Sequence, residues 1–406
     1  MQKFEKHSPV VVTEVTTKHE LRQFMQYPNR LYADNPNYIP SFYGDDLSDW
    51  TPGKNPAFDY CEARCWLARR DGEIVGRIGA ILSHKANDKF GTHRMRFSQV
   101  DFVDDSEVSA ALFGTVERWA REKGCDQVHG PLGFTDMDRE GMLVEGFDRR
   151  SLFFTNYNAP YYLEHLTRLG YRKDVDWIEY RITVPEPGGA EAERLHKLSE
   201  FILKRKHLHV ATVHHKSEYG PFVRQVFELV NAAYAPLYGV VELSDEQIER
   251  DANKFIPLVD PDFVCFVVDE QDQLVAFGVT ALDPSVALKH SDGRLFPFGW
   301  AGVLNDLHHS DTLIMLLTAV RPDLQAEGIN AVMMDHVCQS CNRHGVRFAE
   351  TGPMLELNDH ILAQWKRLEK EQHKRRRCFI KDLDHDVNAA NAAAAQTETP
   401  ETESAE

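Results

Sequence analysis

The second half of the chain contains an apolar run followed by a helical pattern. Residues 313–320 (Leu-Ile-Met-Leu-Leu-Thr-Ala-Val) are almost entirely apolar and too few to cross a bilayer, so they predict a buried central strand. Apolar residues then recur at helical spacing, and Gly345 stands where the helix would end: Ile329, Met333, Val337 and Cys341. The turn between strand and helix carries Gly328. Such a turn favours an anion, because backbone N–H groups and the positive end of the helix dipole point outward there.

The chain repeats one plan twice. Residues 65–76 and 265–276 each run as an apolar strand, a polar turn and a second strand, which predicts a β-hairpin in each half. Later in each half a helix ends at a glycine, Gly124 or Gly345, and a short strand follows that Gly-Pro stops. A strand, a helix and a second strand in this order predict a right-handed crossover between parallel strands. The pattern favours a duplication, with residues 185–189 as the linker.

The two copies differ at the start of the crossover helix. Aligning Gly124 with Gly345 places residues 104–107 (Asp-Asp-Ser-Glu) where residues 325–328 stand. Carboxylates cap a helix N-terminus well but would repel a phosphate. We therefore expect the second copy alone to hold an anion, and the first to shape an acceptor cleft or to serve as a scaffold.

Length and composition bound the organisation. The 406 residues suggest two domains, which we place at residues 1–185 and 190–384, followed by an acidic tail, 385–406, expected to be disordered. No apolar run is long enough to span a membrane and no secretion signal is visible. Seven scattered cysteines suit a reducing compartment, so the cytoplasm is the default expectation.

The charge balance excludes one class of partner and singles out one segment. A net charge of −17 argues against a general nucleic-acid binder. Basic residues nevertheless concentrate at 373–377, where His373 precedes Lys374, Arg375, Arg376 and Arg377. The plain interpretation is a solvated charged face. The functional interpretations are contact with the phosphates of a nucleotide cofactor and peripheral contact with an anionic membrane, which would place the chain at the inner membrane.

The turn before the second crossover helix resembles the pyrophosphate-binding motif of the GNAT acyltransferases, Gln/Arg-x-x-Gly-x-Gly/Ala. The matching residues read Gln325, Ala326, Glu327, Gly328, Ile329 and Asn330, with Asn330 in place of the final small residue. An ordinary strand-to-helix turn is the alternative. The resemblance implies that these six residues bind the phosphates of acetyl-CoA or a longer acyl-CoA. By position it also implies that backbone N–H groups near Ala319 and Val320 polarise the thioester, and that Asn358 contacts the CoA arm.

Longer strings resemble one bacterial family of tandem GNAT-like proteins. They include residues 157–162 (Tyr-Asn-Ala-Pro-Tyr-Tyr), 293–300 (Gly-Arg-Leu-Phe-Pro-Phe-Gly-Trp), 350–353 (Glu-Thr-Gly-Pro) and 372–378. The resemblance implies an α/β (α+β) fold of two tandem GNAT-like domains, each a mixed central sheet flanked by helices. It also implies N-acylation of an amine by an acyl-CoA. Relatives in ceramide synthesis suggest a sphingoid-type long-chain amine as the acceptor.

The chemistry requires a base for the amine. Glu350 is the first candidate, since it ends a short strand at the edge where ligands gather in α/β sheets; a cap or a salt bridge is the alternative. Glu356 is the second candidate. No tyrosine lies between Ile361 and Phe379 to protonate the thiolate as in many relatives, and Trp365 occupies that helix instead. The general acid stays unassigned, with His373 as a guess.

No metal site is expected. A spacing that resembles that of metal ligands lies on one predicted helix without a second cysteine pair: His336, Cys338, Cys341 and His344. Two other functions remain open beside the long-chain N-acyltransferase. One is an acyltransferase for a small polar amine or an aminoacyl donor. The other is a non-catalytic acyl-CoA sensor.

Overall fold

The computed structural model describes residues 8–383 as a mixed α/β fold built on one 14-stranded sheet. The strands of the first half are β1 Val11–Glu14, β2 Cys61–Arg70, β3 Glu73–Ser83, β4 Arg94–Phe102, β5 Gln127–Gly130, β6 Met142–Glu145 and β7 Arg172–Thr183. Those of the second half are β8 His209–Val210, β9 Val264–Val268, β10 Leu274–Leu282, β11 Thr312–Val320, β12 Phe348–Glu350, β13 Met354–Leu355 and β14 Lys370–Asp382. The expected acidic tail lies outside the described residues.

Helices separate the strands in both halves. The first half contains α1 Lys18–Leu31, α2 Tyr43–Asp49, α3 His84–Phe90, α4 Ser106–Glu122 and α5 Tyr161–Arg168. The second contains α6 Ala190–Lys206, α7 Gly220–Tyr234, α8 Asp245–Phe255, α9 Ser285–His290, α10 Gly299–His309, α11 Asn330–His344 and α12 Asp359–Ala363. Within residues 8–383 no helix combines the length and the hydrophobicity needed to cross a bilayer.

The repeated elements form as the sequence predicts. The hairpins are β2–β3 and β9–β10, and each crossover helix joins a parallel pair, β4 to β5 through α4 and β11 to β12 through α11. The helix α11 ends at Gly345, which takes a left-handed conformation (φ 70°) that suits a residue without a side chain.

Alternation along the strands places helices on both faces of the sheet. On β2, Trp66 and Ala68 pack in the same core cluster as the helix α4, whereas Cys65 and Leu67 pack with α1. On β9 the same alternation divides Phe266, against α7, from Val267, against α6 and α11. Every second side chain of a strand points to the same face, so one strand supplies both layers.

The two halves exchange their last strands. The sheet order is β1-β2-β3-β4-β5-β14-β7-β12-β11-β10-β9-β8. Strand β14 therefore pairs with β5 of the first half, and β7 pairs with β12 of the second half. Phe379 of β14 lies in the core cluster of the first half. The domain boundaries stay predictions, because one continuous sheet runs through both halves.

Candidate active site

A cleft opens where β11 and β12 separate. The two strands pair only from Thr312 with Phe348 to Ile314 with Glu350, and β11 then continues to Val320 without that neighbour. The cavity in the cleft measures about 90 Å³. Its walls are mostly apolar and include Leu195, Met315, Leu317, Met333, Val337 and Trp365. This lining suits a flexible, largely apolar chain.

Backbone groups of β11 face this cleft at alternate residues. The Arg321 N–H donates to the Val275 carbonyl of β10 (2.8 Å), so by antiparallel alternation Ala319 also faces β10, while Thr318 and Val320 face away. The Thr318 carbonyl accepts a hydrogen bond from Tyr234 Oη (2.8 Å), and the Val320 carbonyl accepts one from Gln325 Nε2 (3.2 Å). Of the two amides expected to polarise a thioester, Ala319 is therefore directed into the sheet. Thr318, which lines the cavity, takes its place beside Val320.

The expected anion-binding turn lies at the mouth of the cleft. Its backbone is left-handed at Ala326 (φ 63°) and Gly328 (φ 85°), and an added Cβ at Gly328 would lie 3.0 Å from Ile202 Cδ1. No side chain caps the N-terminus of α11 and its first turn contains no acidic residue. The positive end of the helix dipole is therefore left for an anion. Ile329 is buried and Asn330 lines the cleft.

Two cations that the sequence analysis missed lie beside this turn. Arg205 and Lys206, in the last turn of α6, line a second cavity together with Ala326, Glu327 and Gly328. Lys206 Nζ lies 2.7 Å from the Glu327 carboxylate, and this hydrogen bond lowers the pKa of Glu327. The only signal in the sequence was three consecutive basic residues, 204–206, far from the motif along the chain. Guanidinium and ammonium groups are the usual partners of phosphate.

The corresponding helix end in the first half is already occupied. The Asp105 carboxylate accepts from the backbone N–H groups of Glu107 and Val108 at the start of α4. Arg70 pairs with Asp105 (2.5 Å) and Glu107 (2.7 Å). These carboxylates accept the free N–H groups of the helix and neutralise the arginine. This supports the expectation that only the second half binds an anion at this position.

Glu350 belongs to a buried ionic cluster. Its carboxylate lies 3.2 Å from Lys374 Nζ, which also lies 3.3 Å from Glu179, while Arg376 Nε donates to Glu179 at 2.5 Å. Glu179, Lys374 and Arg376 are at most 1% exposed. Burial would raise the pKa of Glu179, but the charges of Arg376 and Lys374 hold it below its ordinary value. The ion pair with Lys374 favours the structural alternative for Glu350 over a free base.

The pKa shifts of Glu356 and His373 argue against the roles expected of them. Burial would raise the pKa of Glu356, but hydrogen bonds from Lys173 and Arg375 hold it below its ordinary value, which makes it a weak base. Burial lowers the pKa of His373 to about 4, so its imidazole is neutral near pH 7 and carries no extra proton for a leaving thiolate. Both shifts argue against these roles, which stay predictions.

The basic run forms ion pairs inside the protein. Lys374 and Arg376 are buried in the cluster around Glu179. Arg375 and Arg377, on the opposite face of β14, bind the Asp176 carboxylate at 3.0 Å and 2.8 Å. Each of these cations has a carboxylate partner, which argues against a solvated face, a phosphate site or a membrane contact through Lys374 to Arg377.

The segment after β13 has a structural role at Asn358. The Asn358 Oδ1 accepts from the Ile361 N–H (3.3 Å) and so caps α12, while contact of Asn358 with a CoA arm stays a prediction. Trp365 lies in the cleft wall, where its indole Nε1 contacts the Met354 sulfur. In this segment Trp365 stands where many relatives have the tyrosine that protonates the thiolate. The hydroxyl of Tyr234, at the end of α7, contacts β11 instead. No motif in the sequence marks this tyrosine.

The Tyr238 hydroxyl occupies the space between three side chains of metal-ligating type. His129, Asp174 and Cys378 lie close enough to hold an ion. The Tyr238 hydroxyl lies among them, at 2.5 Å from Asp174, 2.9 Å from His129 Nδ1 and 3.6 Å from the Cys378 sulfur. These contacts satisfy the hydroxyl and link the two halves. His336, Cys338, Cys341 and His344 form no such group in the described part of the chain.

Known proteins resemble the chain along most of its length. It is 27% identical over 379 residues to Protein YghO of Escherichia coli (strain K12), covering 92% of this chain and 95% of that protein. It is 28% identical over 300 residues to the bacterial ceramide synthase of Caulobacter vibrioides (strain NA1000 / CB15N), covering 72% and 75%. No protein-family model matches the chain.

Solved structures share the fold at lower identity. A tandem GNAT protein from the clavulanic acid biosynthesis pathway superposes with a TM-score of 0.53 at 13% identity, covering 93% of this chain and 99% of that one. The predicted resemblance and fold class are thus confirmed. The chain has the fold of that tandem GNAT protein.

Proposed function

We propose that this chain is an acyl-CoA-dependent N-acyltransferase that holds its thioester donor in the second half. The observation that carries the proposal is the position of the cleft. The apolar cleft lies between β11 and β12. The uncapped N-terminus of α11 lies at its mouth, together with Arg205 and Lys206. A diphosphate would bind at the mouth, and the pantetheine arm would follow β11 inward.

The reaction requires few parts from the protein. A neutral amine attacks the thioester carbonyl carbon, a C–N bond forms, and the C–S bond breaks as CoA leaves. The outward amides at Thr318 and Val320 are placed to stabilise the charge that develops on the carbonyl oxygen. The ammonium form of the amine first gives one proton to a base, and after the neutral nitrogen has attacked, it gives a second proton to the leaving thiolate and keeps the third as the amide N–H. Glu350 stays a proposal for that base, with its Lys374 ion pair as the argument against it.

We propose a long-chain primary amine as the acceptor. The similarity to a bacterial ceramide synthase supports a lipid-like acceptor. The small polar amine and the aminoacyl donor are the competing substrates.

Thiol release tests the proposal. The full chain is mixed with palmitoyl-CoA and either dodecylamine or ethanolamine, free CoA is measured with a thiol reagent, and the amide is identified by mass spectrometry. We expect release and amide with dodecylamine. Turnover with ethanolamine alone would overturn the long-chain acceptor.

The sensor hypothesis has its own observation. The predicted groups Glu350, Glu356 and His373 are all engaged or neutral, as expected of a degenerate site. Tight acyl-CoA binding without turnover on any amine would favour the sensor. Loss of thiol release in Glu350→Gln, with CoA affinity unchanged, would restore Glu350 as the base.

A further inference from the structure

An aromatic loop leads into the helix α10, and its side chains are exposed. Phe296 and Phe298 are 80% and 81% exposed, and Trp300 and Leu304 of α10 are 47% and 45% exposed. Trp300 Nε1 donates to the Pro297 carbonyl (3.1 Å), which joins the loop to the helix, and Leu304 lies one turn further along the same face. Single exposed apolar residues are common, whereas several that adjoin one another mark a binding surface. These four exposed side chains form what we call the aromatic surface.

The loop is held in place by its backbone. The Trp300 N–H donates to the Leu295 carbonyl (2.8 Å), and the Gly293 carbonyl accepts from the Tyr43 N–H of the first half (2.9 Å). Leu295 packs in the core cluster beneath α9 and α10. The exposure of the two phenylalanines that follow Leu295 is therefore a built feature of the loop.

The outer face of α10 continues the aromatic surface. The exposed side chains of this helix are those of Trp300, Ala301, Leu304, Asn305, His308 and His309. Asp306, the acidic residue of the helix, is turned toward α9, where its carboxylate accepts from the Ala287 N–H (2.7 Å). A surface helix normally carries charged residues on its outer face. The outer face of α10 is instead suited to a partner that is itself apolar.

The shape and size of the aromatic surface favour a lipid bilayer over a second protein. A phenylalanine that is 80% exposed projects from the surface. A protein partner would need a matching pocket for each ring, whereas fluid lipid needs none. From the usual areas of such side chains, the surface exposes roughly 500 Å², which is less than the ~800 Å² per partner of a standard protein interface. Trp, Phe and Leu are also the residues that interfacial segments bury among lipid headgroups.

The aromatic surface lies at the end of the cleft that is remote from the anion-binding turn. Leu295 shares its core cluster with Ile314 and Leu316 of β11. The strands β11 and β12 separate just after Ile314, whereas the turn follows Val320. The six residues between them span about 20 Å of strand. A chain that lies on a bilayer through the aromatic surface would therefore keep the turn on the water side.

We propose that the aromatic surface inserts into the headgroup region of a lipid bilayer and holds the chain there. The inference goes beyond the proposed function and does not depend on it. Asp292 and Arg294 are both exposed before the loop and carry opposite charges, so binding depends on apolar area and not on anionic lipid. The surface is separate from the basic run 373–377, whose cations have carboxylate partners inside the protein.

Tryptophan fluorescence tests the insertion directly. Trp300 is 47% exposed, whereas the other five tryptophans are at most 6% exposed. The full chain is titrated with phosphatidylcholine vesicles whose acyl chains are brominated, with unbrominated vesicles as the reference. We expect the brominated lipid to quench part of the emission of the wild-type chain. The quenching should be lost in Trp300→Phe, which keeps an aromatic ring at the surface. Wild-type emission that brominated lipid leaves unchanged would overturn the proposal.

Co-sedimentation with the unbrominated vesicles measures the affinity. Phe296→Ser combined with Phe298→Ser should lower the partition coefficient at least tenfold at low and at high salt, because two rings lose their transfer from water to lipid. Phe90→Ser is the matched control, since Phe90 is 42% exposed on α3, and it should partition as the wild-type chain does. Circular dichroism should show the same fold in all of these variants. Equal partition of the double variant and the wild-type chain would contradict the membrane surface.

Two further measurements separate the proposal from its alternatives. Analytical ultracentrifugation without lipid tests a second copy as the partner, and we expect the double variant to sediment as the wild-type chain does. A wild-type dimer that the double variant loses would overturn the proposal and assign the surface to a contact between copies. Thiol release from palmitoyl-CoA with dissolved dodecylamine should be equal in both proteins. Lack of release in the wild-type chain would overturn the proposed function, while quenching by brominated lipid would still support the membrane surface.

Discussion

Lys374 and Arg376 are cations held away from water by one shared carboxylate. Both contact Glu179, which is itself fully buried, and Lys374 also contacts Glu350. Burying an ion costs several kcal/mol unless a counter-ion and hydrogen bonds offset it. Position Glu179 is therefore where a single change should have the largest effect.

Replacing Glu179 with Gln should lower the free energy of unfolding by about 3–5 kcal/mol, because two buried cations lose their shared partner. The matched control is Glu164→Gln, which removes an exposed ion pair with Arg168 and should cost about 0–1 kcal/mol. Urea denaturation of both variants measures the difference. Equal losses would show that the buried cluster contributes no more than a surface pair.

Asp251 should reduce stability at neutral pH. Its pKa is about 6 in the folded chain and near 3.9 when unfolded, so the folded state binds the proton more tightly and stability is lost as pH rises from about 4 through 6. Asp251→Asn should therefore be more stable than wild type at pH 8, by about 1–3 kcal/mol, with a gap that narrows toward pH 4. Urea denaturation at several pH values measures this. A less stable variant at pH 8 would contradict the raised pKa of Asp251.

At the scale of elements, the end of α6 is what brings cations to the anion-binding turn. Arg205→Glu combined with Lys206→Glu should weaken CoA binding at least tenfold, because like charges would then face the diphosphate. The control is Lys197→Glu, which reverses a charge on the same helix at an exposed position. Calorimetry at two salt concentrations measures the effect. Equal affinity in both variants would place the phosphates elsewhere.

The elements themselves followed from local patterns, whereas the site did not. Alternation and helical spacing are local, so β11, α11 and β12 could be predicted within a few residues. Lys374 and Arg376 could not be interpreted correctly, because their partner Glu179 lies almost two hundred residues away and meets them only through strand exchange. Tyr234 carried no motif, since its contact with the Thr318 carbonyl depends on how α7 packs on the sheet.

At the scale of the whole molecule, the exchange of β7 and β14 makes each half incomplete alone. A fragment of residues 1–185 lacks β14, which pairs with β5 and places Phe379 in the first core. We expect this fragment not to fold, and the full chain to unfold in one transition. Nuclear magnetic resonance of the fragment tests this: a well-dispersed spectrum would show that the first half is an independent domain.

The most direct test of the account is a calorimetric titration of CoA into the full chain. The account predicts one CoA per chain, since the helix N-terminus of the second half is open and that of the first half is occupied by Asp105 and Glu107. No heat of binding, or two equivalent sites per chain, would contradict it.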